Sequence, residues 1–137
     1  MTKTLLLLLV LTAGSCGVKN GNTTAPEPEG VKWVLEALMT LPNVKVPAKD
    51  GPFMLLEKGT GKANGSGGCN SFFGSFTQND DNIDISNIAS TKKYCVELQE
   101  LENAYFAALD AANRYSLKGK ELLLFKDDTQ LAKFKKG

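Results

Sequence analysis

The sequence predicts an α+β fold that is mostly β: a curved antiparallel sheet or partly open barrel with one amphipathic helix packed across it. Three observations predict it. Short apolar or alternating runs recur between turn residues, as in antiparallel strands. Only one segment carries a sustained three-and-four apolar repeat. A single helical stripe must be buried, and here the only surface that can bury it is a sheet face.

Val31–Met39, the first element, fits two patterns: Val31, Val34, Leu35 and Leu38 make a helical stripe, whereas Val31, Trp33, Leu35, Ala37 and Met39 make a strand face. Pro42 and Pro47 interrupt any regular structure in the next ten residues or so. Pro52–Glu57 is a short apolar run, hence a strand, and Lys58–Gly61 is a turn. Lys62–Ser66 returns antiparallel, although Asn64-Gly65 is itself a hairpin signal. Asn70–Gln78 is a strand with Phe72 and Phe76 on one face and Phe73 on the other. Asn79–Asn82 is a polar turn, and Ile83–Ser86 alternates as a half-buried strand.

The helix spans about Val96 to Ala112. Leu98, Leu101, Tyr105, Ala108, Leu109 and Ala112 form its stripe. Glu97, Glu100 and Glu102 lie in its first half, where the helix dipole favours negative charge, and read as solvated side chains. Arg114–Lys118, Glu121–Lys126 and Gln130–Lys135 are strands, joined at Gly119 and at Asp127-Asp128.

The chain divides into three parts. Residues 1–15 read as a signal peptide, with Lys3 as the basic start and Leu5–Leu11 as the apolar stretch. That stretch falls far short of the roughly 20 residues needed to span a bilayer. Small residues then lead to Cys16, a pattern that resembles the lipobox of bacterial lipoproteins, with Ala13 where leucine is usual. The resemblance implies lipidation of Cys16, membrane attachment through that N-terminal lipid, and residence in the bacterial cell envelope. Residues 16–30 are polar and proline-containing and read as a flexible tether. Residues 31–137 form one domain.

Composition excludes several chemistries. The chain has no histidine, which removes Ser-His-Asp and Cys-His triads and most zinc, iron and copper sites. Its net charge is +1, and no basic motif gathers its lysines, so no nucleic-acid partner is expected. Gly59-Thr-Gly-Lys62 lacks the spacing and the hydroxyl residue of a phosphate loop. Asp80, Asp81 and Asp84 do not match a calcium loop and read as a solvated turn. No cofactor, metal or catalytic residue is expected.

The most informative stretch is Gly65–Phe76, Gly-Ser-Gly-Gly-Cys-Asn-Ser-Phe-Phe-Gly-Ser-Phe. Its glycines call for a tight loop and close backbone approach, and its phenylalanines for burial. Cys69 and Cys95 form an even pair once Cys16 is set aside. A disulfide suits an exported domain; two buried thiols or a reactive thiol are the other readings.

Trp33-Val-Leu35, the Gly65–Phe76 stretch, Thr91-x-x-x-Cys95, Glu102-x-x-x-Phe106-x-x-Leu109 and the Tyr115–Leu124 pattern together resemble the META-domain family, which includes the HslJ heat-shock proteins. The order is the family's and covers Val31 to about Phe134. Lys93-Tyr94 departs from the family's more usual Met-Ala, and Phe76 stands where tyrosine is common. The resemblance implies a small, partly open antiparallel β-barrel of about seven to eight strands with a helix across it, and resolves Val31–Met39 as a strand.

It also implies frequent occurrence in envelope lipoproteins and a link to stress, without a defined reaction. Residue by residue, Gly68, Asn70 and Gly74 are expected to shape the loop and strand. The Asn70 amide is expected to serve backbone groups of the glycine loop, Thr91 to cap or turn the chain before the helix, and Glu102 to reach back to the loop N–H groups. The expected function is a non-enzymatic binding or assembly module with an unidentified envelope protein partner. A carrier of a small apolar ligand and a thiol-dependent enzyme are the alternatives.

Overall fold

The computed structural model describes residues 26–137. The signal peptide, Cys16 and most of the expected tether lie outside the described residues.

Eight strands and one helix run along the chain: β1 (Lys32–Leu38), β2 (Phe53–Leu56), β3 (Lys62–Ser66), β4 (Ser71–Asn79), β5 (Asn82–Ser90), α1 (Gln99–Ala111), β6 (Arg114–Lys118), β7 (Glu121–Lys126) and β8 (Thr129–Lys136). Each strand pairs antiparallel with its sequence neighbours, and β8 returns to β1 to close the ring. One seam is thin. β5 and β6 share the single register pair Asn82↔Arg114, flanked by bonds from Ile83 N–H to the Asn113 carbonyl and from Tyr115 N–H to the Asp81 carbonyl. The chain leaves β5 through α1, which packs against β5.

The ambiguous first segment is a strand, and its face changes midway. Trp33 and Leu35 point into the barrel. A bulge at Glu36 then shifts the β1–β8 register, so Leu38 is buried while Met39 is 40% exposed. The strand-face expectation for Ala37 and Met39 is corrected by that one extra residue. β5 runs to Ser90, beyond the expected Ser86, because a second bulge at Asn87 (φ 54°) absorbs an extra residue opposite Gly74 and pairing resumes. A Cβ on Gly74 would lie 2.8 Å from the Ser86 carbonyl oxygen. Asn64-Gly65 is not a turn. Gly65 sits inside β3, where a Cβ would strike the Phe53 carbonyl and the Phe72 ring.

The helix begins at Gln99 rather than Val96; Val96–Leu98 form a turn before it. Its inner face places Leu101, Tyr105, Ala108 and Leu109 in the barrel, while Leu98 is only partly buried. Tyr105 stands at the centre, edge-on to Phe72 (centroids 6.2 Å apart) and 6.1 Å from Phe134. Met54, Leu56, Leu122 and Leu124 complete a filled interior. On the outside, Lys133 bridges Glu36 and Glu121 at 3.4 and 2.9 Å, a solvent-screened surface network.

The last residues read as tether are docked on the barrel. Pro28 is fully buried, and its carbonyl accepts the Trp33 indole N–H at 2.8 Å. Gly30 N–H donates to the Leu56 carbonyl.

The Tyr105 hydroxyl is buried and, among the described residues, has no hydrogen-bond partner. Burial pushes its pKa well above the ordinary phenol value. The unfolded phenol ionises near pH ~10 while the folded one stays protonated, so its contribution is intact below that pH and is lost as pH rises further. Tyr105→Phe is expected to stabilise the fold by about 1 kcal/mol at neutral pH, since an unpaired buried hydroxyl costs about 1–3 kcal/mol. It should also flatten the alkaline loss of stability, leaving the share of Tyr115, whose pKa burial also raises. Urea unfolding of both proteins at neutral and alkaline pH reads both effects; a variant less stable than the parent contradicts an orphan hydroxyl.

Candidate functional site: the hairpin clamp and its groove

The β3–β4 hairpin closes with Gly67 N–H donating to the Asn70 carbonyl at 2.8 Å, leaving Gly68 and Cys69 at the tip. Gly68 takes φ +105°, a conformation that side-chain-bearing residues avoid at the first position of a tight hairpin turn. The turn leaves its own N–H groups without sheet partners.

Those groups meet Glu102. Its carboxylate accepts from Cys69 N–H at 3.1 Å, Asn70 N–H at 2.6 Å and the Asn70 amide nitrogen at 2.6 Å. Glu102 is only 2% exposed, which corrects the expectation that the early helix glutamates are all solvated; Glu97 and Glu100 are exposed. Three N–H donors stand in for the water that a buried carboxylate loses.

Asn70 does not serve the glycine loop. Its oxygen accepts Lys93 N–H at 2.7 Å and the Thr91 hydroxyl at 2.9 Å, and its nitrogen also donates to the Lys93 carbonyl at 2.9 Å. The side chain thus mimics a strand partner for Lys93. Thr91 does not cap the helix. Its hydroxyl accepts Ser71 N–H, and the helix start at Leu98 has no side-chain cap. Gly74, at the β5 bulge, lies outside this cluster. Cys69 and Cys95 form a disulfide with Cα atoms 6.0 Å apart, fixing the approach to α1 against the hairpin tip.

Gly67 carries a requirement that loop composition alone did not separate from that of its neighbours. A Cβ there would lie 2.5 Å from Glu102 Cγ and 2.8 Å from Phe106 Cζ. Its φ is not positive, so the constraint is space. The two adjoining glycines before Cys69 are the sequence signal: one serves the turn and the other admits the helix.

A groove of about 410 Å³ lies beside the clamp, between the Ser90–Tyr94 connection and one face of α1 formed by Gln99, Asn103 and Phe106. Among the described residues no cluster of His, Cys, Asp or Glu is arranged to hold a metal ion. Asp81 instead pairs with Arg114 at 3.4 Å.

The META-domain family model matches residues 27–137, nearly all of the described structure. The chain belongs to the META-domain family. The META domain here also shares its fold with solved structures. A protein from Burkholderia xenovorans solved by NMR is 23% identical, with a TM-score of 0.66 over 87% of this chain and 96% of its own. A DUF4847 family protein from Bacteroides vulgatus is 18% identical, with a TM-score of 0.56 over 79% of this chain and 93% of its own. These likenesses establish a common small β-rich fold. No curated protein matches the sequence significantly.

In this META domain the clamp predicts a coupled energetic unit. Glu102→Ala leaves the buried Asn70 N–H and the part-buried Cys69 N–H without acceptors and should cost about 3 kcal/mol. Asn70→Ala should cost a similar amount, and the double variant less than the sum, because both act on one network. A double-mutant cycle by chemical denaturation reads the coupling; strict additivity excludes a shared network. Reduction of Cys69–Cys95 is expected to lower stability by about 3.5 kcal/mol from loop closure alone. Denaturation with and without reductant measures it.

Proposed function

We propose that this META-domain chain is a non-enzymatic envelope lipoprotein, a binding or assembly module linked to the stress response and held at a membrane by a lipid on Cys16. The observation that supports a non-catalytic reading is the use made of the motif. Asn70, Thr91 and Glu102, its polar side chains, are joined to one another or to backbone groups, and its two cysteines are joined to each other. The disulfide also agrees with an oxidising compartment outside the cytoplasm. A filled interior around Tyr105, Phe72 and Phe134 favours this reading over a ligand carrier, since the space a small apolar ligand would need holds side chains.

The test is acylation together with complementation. Cells fed labelled fatty acid should yield a labelled, membrane-bound protein, and Cys16→Ser should abolish the label and release the chain. The parent protein should restore survival of a deletion strain under heat or antibiotic stress, and Cys16→Ser should not. An unlabelled parent chain, or full rescue by the unlabelled variant, overturns the lipoprotein reading.

A further inference from the structure

The clamp consumes its own polar groups, whereas the groove beside it pairs only some of its own, with Lys92 Nζ donating to Ser90 Oγ at 3.2 Å. One wall is the stretch Lys92-Lys93-Tyr94, exposed to solvent, with Tyr94 76% exposed. That wall is held from behind by the two-way pairing of Asn70 with the Lys93 backbone and by the disulfide at Cys95. An exposed aromatic on a pre-ordered loop loses little conformational freedom when covered. The other wall is the Gln99–Asn103–Phe106 face of α1. Gln99 Nε2 donates to Asn103 Oδ1 at 3.0 Å. Among the described residues no partner meets the Gln99 side-chain oxygen or the Asn103 NH₂, an acceptor and a donor one helical turn apart. Those are the two groups a peptide unit requires.

Charge selects the kind of peptide. The cations of the groove are Lys92 and Lys93. Glu97 and Glu100 do not line it, and Glu102 at its base has its carboxylate bonded to three N–H donors. Tyr94 and Phe106 add apolar ring surface. We infer that this groove binds an extended acidic peptide segment of a partner protein, with lysines on its carboxylates, the amide pair on its backbone and the two rings on its apolar side chains. The inference rests on the binding-module reading and supplies the chemistry of its partner; the acylation test can fail without affecting it.

The experiment uses the full chain and a short fluorescein-labelled peptide rich in glutamate, with anisotropy as the readout. Binding is expected, weakened by added salt. The charge reversal Lys92→Glu/Lys93→Glu should weaken it by roughly tenfold or more. Neither lysine side chain supports the clamp, so the variant keeps its fold, which circular dichroism checks. Lys118→Glu/Lys120→Glu, outside the groove, should leave binding unchanged. No binding of the acidic peptide, equal binding of its glutamine counterpart, or equal loss from both charge reversals overturns the proposal. Lys92- and Lys93-dependent capture by vesicles of anionic lipid, without peptide binding, overturns it in favour of a membrane surface.

Discussion

The buried carboxylate of Glu102 is the interaction on which the rest of this structure depends. A barrel of short strands with one thin seam needs its helix fixed in one place, and apolar packing alone is non-directional. Glu102 supplies direction. It is set on α1 one turn before Phe106 and binds the N–H groups that the β3–β4 hairpin cannot use itself. Its position also accounts for Gly67, which has no room for a side chain, and for Asn70, whose amide extends the contact to the Thr91–Lys93 segment after β5. Hairpin, helix and this segment meet there because one buried negative charge gathers donors around it.

Much of the fold was legible from periodicity. The alternation along Asn70–Gln78 and Ile83–Ser86 and the stripe from Leu101 to Leu109 each describe a local rule that the structure obeys. What periodicity misses are the places where the rule is interrupted. The bulge at Glu36 moves burial from odd to even positions along β1, and that at Asn87 lets β5 run on. A bulge is set by the partner strand, which a local pattern does not contain. Likewise Asn64-Gly65 has the chemistry of a turn, but Phe53 and Phe72 leave room there only for a glycine within a strand.

The motif was legible as a set of residues, less so as a set of contacts. The family resemblance marks Gly68, Asn70, Thr91 and Glu102, yet the partner of Asn70 is the backbone of Lys93, and a backbone partner leaves no trace in residue type. The same holds for the groove. Gln99 and Asn103 are ordinary helix-surface residues until the fold sets them opposite Lys92 and Lys93. Architecture advertises itself in glycine and cysteine, whereas an open groove is lined by common polar residues.

The disulfide and the carboxylate clamp act at the same spot without duplicating one another. A cross-link between Cys69 and Cys95 acts mainly by restricting the unfolded chain, so its effect is set by their sequence separation of 26 and little by native geometry. The Glu102 and Asn70 bonds act only in the folded state, where they replace lost water and fix the loop against the helix. Loss of the cross-link therefore lowers global stability while the hydrogen bonds still define the groove wall. Loss of the clamp also lowers stability, but it leaves a chain that is tethered and locally unshaped. The domain uses both: the covalent bond for persistence and the buried carboxylate for form.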